Sequence, residues 1–282
     1  MTAPRDYPLP ASWTTPVPWK LGLAVVLFGP LGAFLLGWSI VSLASLHWLR
    51  FVFFLSAGTA FIALPALALI KNATRNRTRL GNARALSRDG RTVLQQPRAA
   101  QILTVVLLAC MVAGGLTFSL GTWTHTLALT QGVRSNTSFA PVGLVVAVLA
   151  AVLLVAYAIR GSIGEIALSP SSVTTPNSFF GNTETKWRDI EQVATPNVDA
   201  RIVALRFNDR AIHSKPALEV SVAEYAVGAA AAYRLIEFYH HHPQLRGELA
   251  DHRAAERLHT YRVLESDSAS TESPSRPGPE SR

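Results

Sequence analysis

Four stretches of this chain contain no Asp, Glu, Lys, Arg or His: Leu21–Leu46, Phe51–Ile70, Gln101–Leu120 and Pro141–Ile159. A helix rises about 1.5 Å per residue, so about 20 apolar residues cross a hydrocarbon core of roughly 30 Å. A buried helix in a soluble protein rarely runs that far without a charge. The four runs are therefore predicted to be transmembrane helices, and every other segment must be fitted around a four-span bundle. Composition agrees: of 282 residues only 16% are charged, against about 25% in soluble domains. The first run exceeds the roughly 7–15 apolar residues of a cleavable signal peptide, so it is expected to stay as an anchor. Pro30 falls inside it and is tolerated there as a kink.

The loops orient the bundle. Residues 71–100 carry Lys71, Arg75, Arg77, Arg79, Arg84, Arg88, Arg91 and Arg98 against Asp89 alone, whereas 47–50 and 121–140 carry only Arg50 and Arg134. Cytoplasmic loops are enriched in Lys and Arg. The basic loop 71–100 is thus expected in the cytoplasm, with the N-terminal segment 1–20 and all residues after Arg160 on the same side. The excess of arginine over lysine and the many alanines suggest a GC-rich bacterial genome, hence a multi-pass protein of the bacterial cytoplasmic membrane. Keeping the loop inside accounts for its charges. A second use for Arg75, Arg77, Arg79, Arg84, Arg88 and Arg91 is contact with anionic lipid headgroups, about 1 kcal/mol per residue near the surface. The loop has no aromatic residue for base stacking, so nucleic acid is not an expected partner.

The spans hold no ionisable side chain, whereas transporters and pumps usually keep such groups at membrane depth. Ser39, Ser42, Ser45, Ser56 and Thr59 can bond to their own helix backbone. His47 and His125, beside Trp48 and Trp123, read as residents of an interfacial aromatic belt. Small residues recur at four-residue spacing: Gly29, Ala33 and Gly37; Ala109, Ala113, Thr117 and Gly121; Gly143, Ala147 and Ala151. Such stripes let backbones approach closely, either within the bundle or across a homo-oligomer face. Cys110 is the only cysteine and reads as a small hydrophobe.

After Arg160 short alternating segments replace the long runs. Strands are expected at 165–169, 172–180, 183–187, 189–195, 201–207, 211–215 and 218–222, with a turn at Gly181-Asn182. Ser221 and Glu224 fit a capping box opening a helix that places Val227, Ala231, Leu235 and Phe238 on one face and ends before Pro243. Residues 244–264 read as a further helix with a solvated charged face, carrying His252 and His259. Residues 265–282 read as a low-complexity tail. The histidines at 240–242 sit at a helix end, where cations are favoured. No nucleophile motif, phosphate loop or zinc spacing is present, so no catalytic residue, metal or cofactor is assigned.

Seven short strands and a capping helix, with "SVTTPNSFFGNTETKWRDI" returning to Trp187-Arg188-Asp189-Ile190, resemble bacterial pleckstrin-homology-like (PH-like) domains; the helix followed by "HPQLRGEL" at 242–249 adds to the resemblance. It covers about 160–250. The fold class expected is membrane α-helical, four transmembrane helices, plus a C-terminal α+β PH-like domain at 161–243. The resemblance implies a binding module without catalysis, with Trp187 and Ile190 in its core. Family members that bind phosphoinositides use basic residues on the first two strands and their loop. That loop here, "SPSSV" at 169–173, has none, so phosphoinositide binding does not carry over. The function expected is a membrane protein presenting an interaction or scaffold module to protein partners; the alternative is a small transporter or channel with a regulatory domain.

Overall fold

A computed structural model describes residues 6–10, 13, 19–75, 86–124, 126–127, 139–160, 165–178, 181–195, 201–208 and 217–264. Four helices are long and apolar enough to cross a membrane: α1 (Trp19–Ala44), α2 (Trp48–Arg75), α3 (Arg98–Trp123) and α4 (Ala140–Arg160). They run past the charge-free cores at several ends because a helix does not stop where its apolar stretch stops. Pro30 and Pro65 lie inside α1 and α2.

Glycine sets how closely consecutive helices approach. A Cβ on Gly32 of α1 would lie 2.7 Å from Ile62 Cγ1 and 3.0 Å from the Gly58 carbonyl oxygen of α2. A Cβ on Gly115 of α3 would lie 2.6 Å from the Gly143 carbonyl oxygen of α4 and 3.0 Å from Ala147 Cβ. The stripe through Gly143 and Ala147 thus packs inside the bundle. The stripe on α1 does not: no atom lies within 4 Å of a Cβ built on Gly29 or Gly37, and Ala33 is exposed. Ser39, Ser42 and Ser45 donate to the carbonyls of Leu36, Trp38 and Val41 on their own helix.

The described part of the connection between α2 and α3 holds a hairpin. Strands β1 (Leu86–Arg88) and β2 (Arg91–Leu94) meet across a two-residue turn in which Asp89 and Gly90 have φ of 52° and 69°. Asp-Gly suits the left-handed turn that matches strand twist. Strand β2 then pairs with β3 (Ile166–Leu168), Leu94 opposite Ile166, although α3 and α4 lie between them in the chain. Strands β4 (Ser172–Ser178) and β5 (Gly181–Lys186) complete an antiparallel sheet ordered β1-β2-β3-β4-β5. A second sheet is ordered β6-β7-β8, from Ile190–Ala194, Ile202–Phe207 and Ala217–Ser221. Six of the seven strands expected after 160 are found; the one expected at 211–215 lies outside the described residues.

Three expectations need correction. Pairing of β4 with β5 continues to Ser178 opposite Gly181, so Gly181 and Asn182 belong to the strand rather than the turn. The capping box does not form: Ser221 ends β8, and α5 (Ala229–His241) starts at Gly228, whose φ of 89° suits glycine. The intervening Val222, Tyr225 and Val227 are buried, which holds that segment as a turn. Residues 244–264 do not form one helix. A 3-10 segment, Pro243–Ala250, is followed by the short α6 (Arg253–His259), with extended backbone at Asp251 between them. Nor is this region only a solvated face, because Leu249, Ala254, Leu258 and Val263 are buried.

The core gathers around α5. Its Ala229, Ala230, Ala231 and Ala232 are buried together with Leu235, Ile236, Phe238 and Tyr239. Each large apolar side chain fully buried contributes about 1.5–3 kcal/mol. The N-terminal segment joins this core. Tyr7 is fully buried, stacks on Tyr261 at 5.0 Å and donates to the Leu258 carbonyl at 2.6 Å. Trp13 packs beside Tyr233. One domain is therefore assembled from three pieces: the N-terminal segment, the α2–α3 connection and the region after α4.

Candidate functional site

The motif strand proves to be structural. Trp187 lies in a 3-10 turn between β5 and β6 and is 2% exposed. Its Nε1 donates to the Ser169 carbonyl at 2.8 Å, and the Arg246 guanidinium lies 4.9 Å from its ring centroid. Ile190 is 4% exposed. The "SPSSV" loop is tied down beneath it: the Ser169 hydroxyl accepts from the Ser172 amide at 2.9 Å, and the Ser172 hydroxyl donates to Glu184 at 2.6 Å.

Two features of the domain surface could meet a partner. The first is a cleft of about 470 Å³ between β6 and α5, lined by Glu191, Gln192, Val193, Tyr233, Glu237 and His240 among others. Strand β6 is an edge strand, paired with β7 alone among the described residues. Its outer face exposes Glu191 and Gln192, and across the cleft Arg234 pairs with Glu237 at 2.8 Å. At one end His240 Nε2 meets the Ile190 carbonyl at 3.1 Å. Desolvation holds the His240 imidazole below its usual range, which favours the neutral ring. The neighbouring histidines turn elsewhere: His241 Nδ1 lies 3.0 Å from the Glu237 carbonyl, and His242 Nδ1 lies 2.9 Å from that of Phe238. The three rings do not converge on a point.

The second feature is the junction between the domain and the four apolar helices. Glu224 receives Lys71 Nζ at 2.8 Å from the end of α2 and Gln96 Nε2 at 3.0 Å from just before α3. Gln95 donates to Glu165 at 2.8 Å, and its carbonyl accepts the Ala226 amide at 2.8 Å. The domain is thereby pinned to the end of α2 and to the residues just before α3. Both partners of the Lys71–Glu224 pair are more than a third exposed, so its Coulomb contribution is small and its value is geometric.

The arginines picked out as lipid contacts do not form one cluster. Arg75 is the last residue of α2. Arg88 and Arg91 flank the hairpin turn and are exposed, Arg88 lying 3.5 Å from Asp89. Arg77, Arg79 and Arg84 lie outside the described residues. Sequence reading missed Arg201, which is 1% exposed and donates through Nη1 to the Arg75 carbonyl. Nothing in its local sequence separates it from any other strand-leading arginine. At the opposite end of the bundle Trp48 and Trp123 are exposed, and Arg50 Nε donates to the Thr126 carbonyl at 2.8 Å.

Comparison with known protein families, with curated proteins and with solved structures returned no match. Four apolar spans, two antiparallel sheets and a buried α5 are therefore the firm ground for function.

Proposed function

We propose that this chain is an integral protein of a bacterial cytoplasmic membrane that presents a PH-like interaction module in the cytoplasm, with both termini on that side. Setting aside edge strand β1, four strands (β2–β5) and three strands (β6–β8) followed by α5 match the element order of PH-like domains. The first of those strands then comes from the α2–α3 connection, so the two last spans are inserted into the module. The basic character of that connection supports the cytoplasmic side.

The observation that carries the reading is the open cleft beside edge strand β6. An edge strand offers unpaired backbone groups, and a groove beside it offers side-chain pockets; together they suit an extended peptide that adds to the sheet. The partner we propose is accordingly a protein segment in extended conformation. A photo-crosslinking residue placed at Gln192 in the full-length membrane protein tests this. A discrete protein adduct from position 192, absent from a control probe at Arg88, is the expected result. No adduct from 192, or equal labelling from both positions, refutes the cleft as the binding surface. Specific solute flux by the purified chain in proteoliposomes would instead favour a transporter with a regulatory domain.

A further inference from the structure

We propose that the cleft beside β6 selects an extended protein segment carrying a lysine or arginine, with Glu191 as the residue that recognises the cation. The inference rests on the cleft being the docking surface and adds the charge class of what docks there.

The strand itself singles out Glu191. Strands β6 and β7 pair Ile190 with Phe207 and then Gln192 with Arg206, so Glu191 has no partner in the ladder. Such a bulge bends a strand and re-aims the side chain at the break. A regular strand turns successive side chains to opposite faces. Here Ile190 and Val193 are buried, and the two residues between them, Glu191 and Gln192, are both exposed. The extra residue thus puts a second polar side chain on the outside of the edge strand, and both line the cleft.

The charges around the cleft leave one sign over. Its described lining holds the carboxylates of Glu191 and Glu237 and no lysine or arginine. Glu237 is committed: it accepts from Arg234 and from the Tyr233 hydroxyl. The Glu191 carboxylate has no ion-pair or hydrogen-bond partner among the described residues. The cross-strand cation, Arg206 opposite Gln192, is exposed and does not line the cleft. His240 closes one end, and desolvation keeps its ring from adding a competing positive charge.

A carboxylate on an open edge has two effects of one origin. It resists burial under an apolar strand and repels an acidic one, which keeps the edge from pairing indiscriminately. It attracts a cationic strand, because opposite charges on neighbouring strands stabilise their pairing and like charges oppose it. An added strand would take its backbone bonds from β6 and its choice of side chain from Glu191. The aliphatic stem of lysine or arginine suits the rest of the lining, where Val193, Ala194 and Tyr233 stand beside the carboxylates.

Three soluble peptides of alternating threonine and valine, with arginine, glutamine or glutamate at the centre, test the selection on the full-length chain in detergent. A photo-crosslinking residue at Gln192 reports docking, and the same residue at Arg88 is the control position. Labelling from 192 is expected to favour the arginine peptide over the glutamine peptide by about threefold, the scale of one partly exposed ion pair, with the glutamate peptide weakest. The preference should shrink as salt is raised. Glu191→Gln removes it, and Glu191→Arg turns it toward the glutamate peptide. Glu219→Gln, at an exposed carboxylate of β8 outside the cleft lining, leaves it intact. Equal labelling from 192 by all three peptides, or wild-type preference in Glu191→Gln, overturns the charge selection and leaves the cleft as a docking surface. No labelling from 192, or labelling no stronger than from 88, overturns the docking reading and this inference with it.

Discussion

Adjacent glycines in α3 offer a controlled test of the helix packing. A Cβ on Gly114 meets only Ser56 Cβ, at 3.4 Å, an ordinary contact. A Cβ on Gly115 lands 2.6 Å from the Gly143 carbonyl oxygen and 3.0 Å from both the Ala147 nitrogen and Cβ. Favourable carbon contacts sit at about 3.5–4.0 Å, so Gly115→Ala forces α3 and α4 apart by roughly 1 Å. The obstacle is backbone on a packed helix and cannot swing aside. A gap of that size forfeits a quarter to a half of the dispersion energy of the atoms lining it, and overpacking of this kind costs about 1–3 kcal/mol. Both substitutions share the same helix-propensity gain of up to about 1 kcal/mol, which cancels in the comparison. Gly115→Ala should therefore be less stable than Gly114→Ala by about 1–3 kcal/mol. Reversible unfolding in mixed micelles, followed by helical circular dichroism, measures the difference. Equal stability of the two variants would refute the close α3–α4 approach and the role of the Gly143 stripe in it.

Three further outcomes follow from the domain. Trp187→Ala removes a buried indole and leaves the Ser169 carbonyl without its donor, so thermal unfolding should report a loss of about 3–5 kcal/mol, with Trp187→Phe costing less. Glu248 accepts from Arg257 through both oxygens at 2.8 and 2.7 Å and from Tyr239 at 3.0 Å. The Arg257 hydrogen bonds hold its carboxyl below the usual range, so the folded state binds that proton more weakly than the unfolded chain. The resulting stabilisation is full above the unfolded value of about 4.3 and fades as pH falls through the lower folded value; melting curves of Glu248→Gln should lack that acid-side loss, and an unchanged acid profile would contradict it. Tyr7→Ala empties a fully buried site and removes the side-chain donor to the Leu258 carbonyl. Hydrogen exchange should then accelerate across 253–264, whereas exchange indistinguishable from wild type would mean that the N-terminal segment does not secure α6.

The bundle was legible because its signal is one-dimensional. Absence of charge over a bilayer's thickness needs no knowledge of neighbours, and Leu21–Leu46 or Pro141–Ile159 could be little else. Most strands were legible for a related reason, since alternation in "RIVALRF" reports one buried face. Trp187 and Ile190 were placed in the core correctly for a different reason, since a large aromatic in a small sheet usually anchors its packing. The start of α5 was misread because local capping chemistry at Ser221 and Glu224 competed with tertiary contacts. Glu224 is drawn to Lys71 and Gln96, while Tyr225 and Val227 are drawn inward.

What the chain determined by itself, then, was a four-span anchor followed by a small antiparallel domain, because hydropathy and alternation are properties of neighbouring residues. Only the tertiary structure decided that the domain begins before the third span. Strand β2 has four residues and no pattern long enough to announce itself; it becomes a strand because β3 lies beside it. Tyr7 and Trp13 sit in a proline-rich leader and acquire meaning only against Tyr261, Tyr233 and Arg201. The same holds for Arg75 and Arg201, two ordinary arginines in sequence that folding brings together.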